Sequence, residues 1–181
     1  MPECVSVVPY DPEWPNLFQS LGAQLRNSLQ VVAERIDHIG STSISGMAAK
    51  PIIDIQISVM DLEPTFSYRD VLESLGFVWR MDNPDLTKRY FRESPGSRRT
   101  HIHVRQSGSW GEQFALLFRD YMRTHPQDAL SYAKLKYEFA EQYRENRKAY
   151  LNGKSSFVWA AMQRATDWSQ VTGWKPGLSD A

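Results

Sequence analysis

A single cysteine, Cys4, stands in the 181 residues, which excludes a disulfide framework and a thiolate zinc site. No basic residue neighbours Cys4, so nothing marks it as a catalytic nucleophile. Net charge is missing too: Lys plus Arg and Asp plus Glu each number 21. That removes any global electrostatic case for nucleic acid or an anionic membrane and leaves room only for a local basic cleft. No apolar run is long enough to span a bilayer, and the N-terminus lacks a basic stretch followed by an apolar one. With the scarce cysteine, these absences lead us to expect a cytoplasmic protein. Also missing are internal repeats, low-complexity blocks and the G-x-x-x-x-G-K-[ST] phosphate loop.

What is present is a chain with 41% hydrophobic residues, enough for one core. Trp14, Leu17, Phe18, Leu21, Leu25 and Leu29 recur at helical spacing after a Pro-punctuated start. "RIDHIGS" and "PIIDIQISV" read as strands, "EPTFSYRDVLESLGF" as a helix stopped at Gly76, and "FVWR" as a short strand. "KRYFRE" and "RTHIHVRQ" alternate and are joined by "SPGSR", which predicts a hairpin. From Glu112 the pattern becomes helical: "EQFALLFRDYMRTH", "PQDALSYAKLKYEFAEQYREN" and "SSFVWAAMQRATDW" predict three helices. Trp110, Tyr121, Phe139, Tyr143, Phe157 and Trp159 read by spacing as mostly helix core. The expectation is a single domain over 1–181: a core over 1–110, a helical part over 111–166 and an irregular tail over 167–181. Its class is α+β (α/β), with a mixed β-sheet, flanking helices and a C-terminal helical extension.

Period-two alternation locates the chemistry. In "PIIDIQISV" the isoleucines point one way while Asp54, Gln56 and Ser58 point the other. In "RTHIHVRQ", Ile102 and Val104 oppose His101, His103 and Arg105. If the strands share a sheet, its polar face gathers Asp54, Gln56, His101 and His103. A carboxylate inside so apolar a strand is costly unless paired, solvated or metal-bound, so an open cleft is expected there. The plainer alternative is the wet face of a half-exposed sheet. Before this strand, Gly40, Ser41, Thr42, Ser43 and Ser45 form a small-residue loop whose hydroxyls and N–H groups could cradle a phosphate, with Lys50 adding charge. A Ser-rich turn is its plain alternative.

"HIGSTSISGMAAKPIIDIQISV" resembles the signature of the GrpB family, a group within the nucleotidyltransferase superfamily. "VVPYDPEWPNLF", "RTHIHV", "FRDYMRTHPQDALSYAKLK" and the late Tyr150, Lys154 and Phe157 are similar to further motifs of that family, so the resemblance covers nearly the whole chain. It implies a nucleotidyltransferase-like fold. In that superfamily a Gly-Ser pair contacts the triphosphate, and three acids, two of them in D-x-[DE], hold two divalent metals. Gly40 and Ser41 match the pair, and Asp54 matches the first acid. Gln56 replaces the second acid, and His103 takes the third position.

The resemblance therefore implies a binder of a nucleotide or phosphorylated metabolite, with transfer of a nucleotidyl or phosphoryl group to a small acceptor. Asp54 and His103 are its expected catalytic and metal-binding residues, with Mg²⁺ or Mn²⁺ as the ion. Gly40, Ser41, Thr42, Ser43, Lys50, Gln56, Arg89, His101, Lys136 and Lys154 are expected to bind substrate or phosphate. The alternatives are a non-catalytic anion-binding module and a metal hydrolase built on Asp54 and the His-x-His pair. Gln is neutral and a poor Mg²⁺ ligand, so the missing acid triad puts two-metal catalysis in question.

Overall fold

The structure, a computed structural model, describes residues 4–181. Helix α1 (Trp14–Leu29) has Pro15 in its first turn and buries Trp14, Phe18, Leu25 and Leu29. Strand β1 (Arg35–Ile39) leads through a single 3₁₀ turn, Ser41–Ser43, towards β2 (Ile53–Val59). Helix α2 (Phe66–Ser74) stops just before Gly76, which takes φ +87°. Strands β3 (Phe77–Trp79), β4 (Lys88–Glu93) and β5 (Thr100–Gln106) follow.

The five strands form one mixed sheet in the order β1-β2-β5-β4-β3. Only β2 and β5 run parallel; the other neighbours are antiparallel. Strands β4 and β5 make the expected hairpin, pairing Phe91 with Ile102 and Tyr90 with His103. On one face, the isoleucines of β2 with Phe91, Ile102 and Val104 pack on α1 and on Tyr68 and Leu72 of α2.

Four helices follow where the sequence pattern predicts three: α3 (Trp110–Thr124), α4 (Pro126–Gln142), α5 (Arg147–Gly153) and α6 (Ser155–Thr172). The extra one, α5, has seven residues and buries only Tyr150, so it offers no apolar stripe to detect. Its signal is Asn146, whose side chain caps it by accepting from the Ala149 N–H at 3.0 Å. Trp110 and Trp159 depart from the helix-core expectation. They are exposed and stack on each other at 6.2 Å. Among the described residues, no helix is long and apolar enough to cross a membrane.

The segment after α6 is irregular but docked. Asp180 accepts from the His38 N–H at 2.9 Å, and the Ala181 N–H donates to the Ile36 carbonyl at 3.1 Å. Behind it, the buried Arg119 guanidinium lies 2.8 Å from Asp180 and 3.5 Å from the fully buried Asp37.

Candidate functional site

Parallel pairing of β2 with β5 sets Asp54 beside His101 and Gln56 beside His103. The Asp54 carboxylate Oδ1 lies 3.1 Å from His101 Nδ1 and 3.6 Å from His103 Nε2. Burial pushes the Asp54 carboxyl up, but hydrogen bonds and charge from the two histidines outweigh it and hold the group well below the ordinary carboxylate range. Burial pushes His103 the other way, towards the neutral ring, with the hydrogen bond to Asp54 opposing it. Behind His103, Lys88 Nζ lies 3.3 Å from Nδ1.

Gly40 makes the carboxylate fit. It takes φ +71° and ψ −174°, a conformation almost confined to glycine, and a Cβ there would lie 2.7 Å from Asp54 Oδ2. The loop is braced from below. The Thr42 hydroxyl donates to the Ile52 carbonyl at 3.1 Å and meets His38 Nε2 at 3.0 Å. Because the hydroxyl proton goes to Ile52, His38 Nε2 carries the proton and donates to Thr42. The His38 pKa is lowered to about 4 by burial first and then by Arg123.

A cavity of about 240 Å³ opens beside Asp54. Gly40, Ser41, Thr42, Lys50, Asp54 and His101 line it from the sheet side, and Tyr132, Lys136, Arg147, Tyr150 and Lys154 from α4, α5 and the start of α6. Its wall therefore carries four permanent or titratable cations against one carboxylate. Lys136 is 2% exposed; its Nζ donates to the Ala48 carbonyl and lies 4.8 Å from the Tyr132 ring centre. Burial, then the neighbouring Lys154, lowers Lys136 to about 7. Lys154, 4.4 Å over the Tyr150 ring, is lowered to about 8 by burial and then by Lys50. Burial likewise lowers Lys50. Crowded, partly desolvated ammonium groups of this kind favour a bound anion.

Other expected residues stand apart. Ser43 turns its hydroxyl to the Gly40 carbonyl at 2.6 Å, closing the turn rather than facing the cavity. Arg89 alternates to the opposite face of β4 and pairs with Glu63 at 2.8 Å. Gln56 is fully buried and donates from Nε2 to the Glu112 carbonyl of α3 at 3.3 Å. The expectation of an open polar face needs correcting here: α3 roofs Gln56, Ser58 is fully buried, and of the three polar residues of β2 only Asp54 lines the cavity. Pattern reading missed Arg147, Tyr132 and the cavity role of Tyr150, because they come from helices whose approach no local spacing encodes.

The three donor atoms of Asp54, His101 and His103 lie within 4.8 Å of one another, a grouping that could hold a metal ion. They do not fit the two Mg²⁺ ions that the superfamily resemblance implies. Mg²⁺ demands oxygen ligands, whereas this set offers one carboxylate and two imidazoles, and the position of the second acid is sealed under α3.

The mixed sheet with its flanking helices is a nucleotidyltransferase-like fold. Cid1 bound to the UTP analogue UMPNPP superposes with a TM-score of 0.54 at 12% identity, over 81% of this chain and 48% of that one. The chain belongs to the GrpB protein family, which it matches over residues 4–164. GrpB from Enterococcus faecalis superposes with a TM-score of 0.83 at 29% identity, covering 91% of this chain and 99% of that one. UPF0157 protein YqkA of Bacillus subtilis is 33% identical over 92% of this chain, which spans 48% of YqkA. A dephospho-CoA kinase of Mycolicibacterium paratuberculosis is 34% identical over 95% of this chain and 48% of its own length.

Proposed function

We propose that the cavity beside Asp54 binds the phosphates of a nucleotide or another phosphorylated small molecule, and that the protein transfers a nucleotidyl or phosphoryl group to a small acceptor. The observation that carries this reading is one cavity holding Gly40, Ser41, Lys50, Lys136, Arg147 and Lys154 opposite Asp54. The cations neutralise phosphate oxygens, and the loop at Gly40 lets a ligand approach the backbone. In the transfer, an acceptor hydroxyl oxygen bonds to phosphorus as the bond to the leaving phosphate breaks. The hydroxyl proton passes to the neutral His103 ring, and Asp54, held too far below the ordinary carboxylate range to act as the base, orients the acceptor. The name of the dephospho-CoA kinase relative supports a phosphate-bearing substrate, by association.

The buried Gln56 favours a second reading, a binding module without catalysis, because it removes the acid pair while leaving the basic cavity. Thermal unfolding with a panel of nucleoside triphosphates and phosphorylated metabolites, with and without Mg²⁺, Mn²⁺ or Zn²⁺, separates the two. Metal-dependent stabilisation that Asp54→Ala abolishes supports transfer. Metal-independent stabilisation that Asp54→Ala preserves and Lys154→Ala abolishes supports the module. No response to any phosphorylated compound overturns both.

A further inference from the structure

We propose that Asp54, His101 and His103 bind one divalent first-row transition ion, in place of a pair of Mg²⁺ ions. Three donor atoms, all within 4.8 Å of one another, converge on one site. Two ligands about 2.1 Å from one ion, at octahedral to tetrahedral angles, lie about 3.0–3.4 Å apart. Asp54 Oδ1 is 3.1 Å from His101 Nδ1 and 3.6 Å from His103 Nε2, and all three donor atoms lie within 4.8 Å of one another, so the two imidazoles close towards each other by up to about an ångström to admit the ion.

The scaffold holds these atoms before any ion arrives. Asp54 and His101 are register partners on adjacent parallel strands, and His103 is two residues further along the same face. Gly40 seats the other carboxylate oxygen, and the Tyr90 ring packs on both imidazoles at 5.5 and 5.2 Å. One oxygen and two imidazole nitrogens suit Zn²⁺, Co²⁺, Mn²⁺ or Fe²⁺ and leave the remaining positions to water or substrate. Asp54 and His101 line the cavity of about 240 Å³, and His101 and His103 line a second one of about 470 Å³.

Binding moves a ring proton on each histidine. His103 must offer the Nε2 lone pair to the ion, so its proton moves to Nδ1, where Lys88 Nζ now lies at 3.3 Å. Lys88 has a second partner ready, Asp85 Oδ2 at 3.8 Å, and turns to it. His101 must likewise free Nδ1, whose proton now goes to Asp54 Oδ1 at 3.1 Å, and carry the proton on Nε2, which is buried without a hydrogen-bond partner in the protein, a cost that the bond to the ion outweighs.

The test uses tag-free, chelator-stripped protein titrated with Co²⁺, followed by visible absorption and calorimetry, then competed with Zn²⁺, Mn²⁺ and Mg²⁺. We expect one Co²⁺ per chain, displaced by Zn²⁺ and untouched by excess Mg²⁺. Asp54→Asn and His103→Asn should each weaken binding by more than the roughly 10–100-fold that loss of an outer-shell partner costs. Circular dichroism confirms that the variants remain folded. No Co²⁺ absorption, equal competition by Mg²⁺, or wild-type affinity in folded Asp54→Asn overturns the proposal. No nucleotide is present in this titration, so its failure leaves the phosphate reading standing, and failure of that reading leaves the ion.

Discussion

Gly40 and Asp54 are built for each other: a Cβ at residue 40 would sit 2.7 Å from the aspartate Oδ2. The backbone at Gly40, with φ +71° and ψ −174°, adds a second demand for glycine. Gly40→Ala should therefore lose stability by about 1–3 kcal/mol from backbone strain alone, and displace the carboxylate besides. Urea unfolding measures the first effect, and loss of ligand-induced thermal stabilisation the second. A variant as stable as wild type with ligand response intact would refute the fit.

His38 predicts acid sensitivity. Its folded pKa is lowered from 6.5 to about 4, so between these values the unfolded chain binds more protons than the native one. Stability should fall as pH drops from about 6.5 to 4 and level off below, by up to about 3 kcal/mol from this group. Unfolding measured across that range should show a shallower slope in His38→Gln than in wild type.

Lys154 sets the pH dependence of anion binding. In the free protein burial, then Lys50, lowers it to about 8; a bound phosphate raises it again. Binding then takes up a proton above pH 8, and affinity should fall as pH rises, by up to about tenfold per unit for one proton. Calorimetry with tripolyphosphate in buffers of different ionisation enthalpy reads that uptake. Lys154→Met should bind more weakly and flatten the profile between pH 8 and 10.

Gln56→Glu restores the acid that the superfamily pattern carries, yet should restore no Mg²⁺ site. The side chain is fully buried and faces the Glu112 carbonyl, which a carboxylate repels. We expect a destabilisation on the order of 3 kcal/mol, read by urea unfolding. Gain of Mg²⁺ binding at unchanged stability would mean that the α3 roof opens.

Arg119 ties the tail to β1 through Asp180 and Asp37. Arg119→Met takes the cation from Asp180 and leaves the buried Asp37 to Arg35 alone, 2.8 Å away, and should cost about 1–3 kcal/mol. Hydrogen exchange should show the His38 and Ala181 amides losing protection together. Unchanged protection at both amides would detach Arg119 from this role.

Much of the fold was legible locally. The isoleucine alternation of β2, the helical spacing of α1 and the Pro-Gly turn between β4 and β5 each encode an element within a few residues. Helix α5 was not legible, because seven residues with one buried side chain give no periodic signal. Alternation named Asp54, His101 and His103 as companions, since a sheet with a period of two leaves them one face. The same alternation put Gln56 among them and could not see that α3 covers it. Arg89 shows a related limit: its charge was visible, but its side of β4 depended on the pairing register.

The sequence by itself thus determined the strands, the polar face and the Gly-Ser loop, because local steric and hydrophobic preferences act over neighbouring residues. Only the tertiary structure decided which polar residues reach a cavity and which are roofed. That choice depends on where α3, α4 and α5 dock, through contacts such as Ile44 and Met47 against Met122 of α3 and Tyr132 of α4, and on a parallel register that sets Asp54 against His101 from 47 residues away.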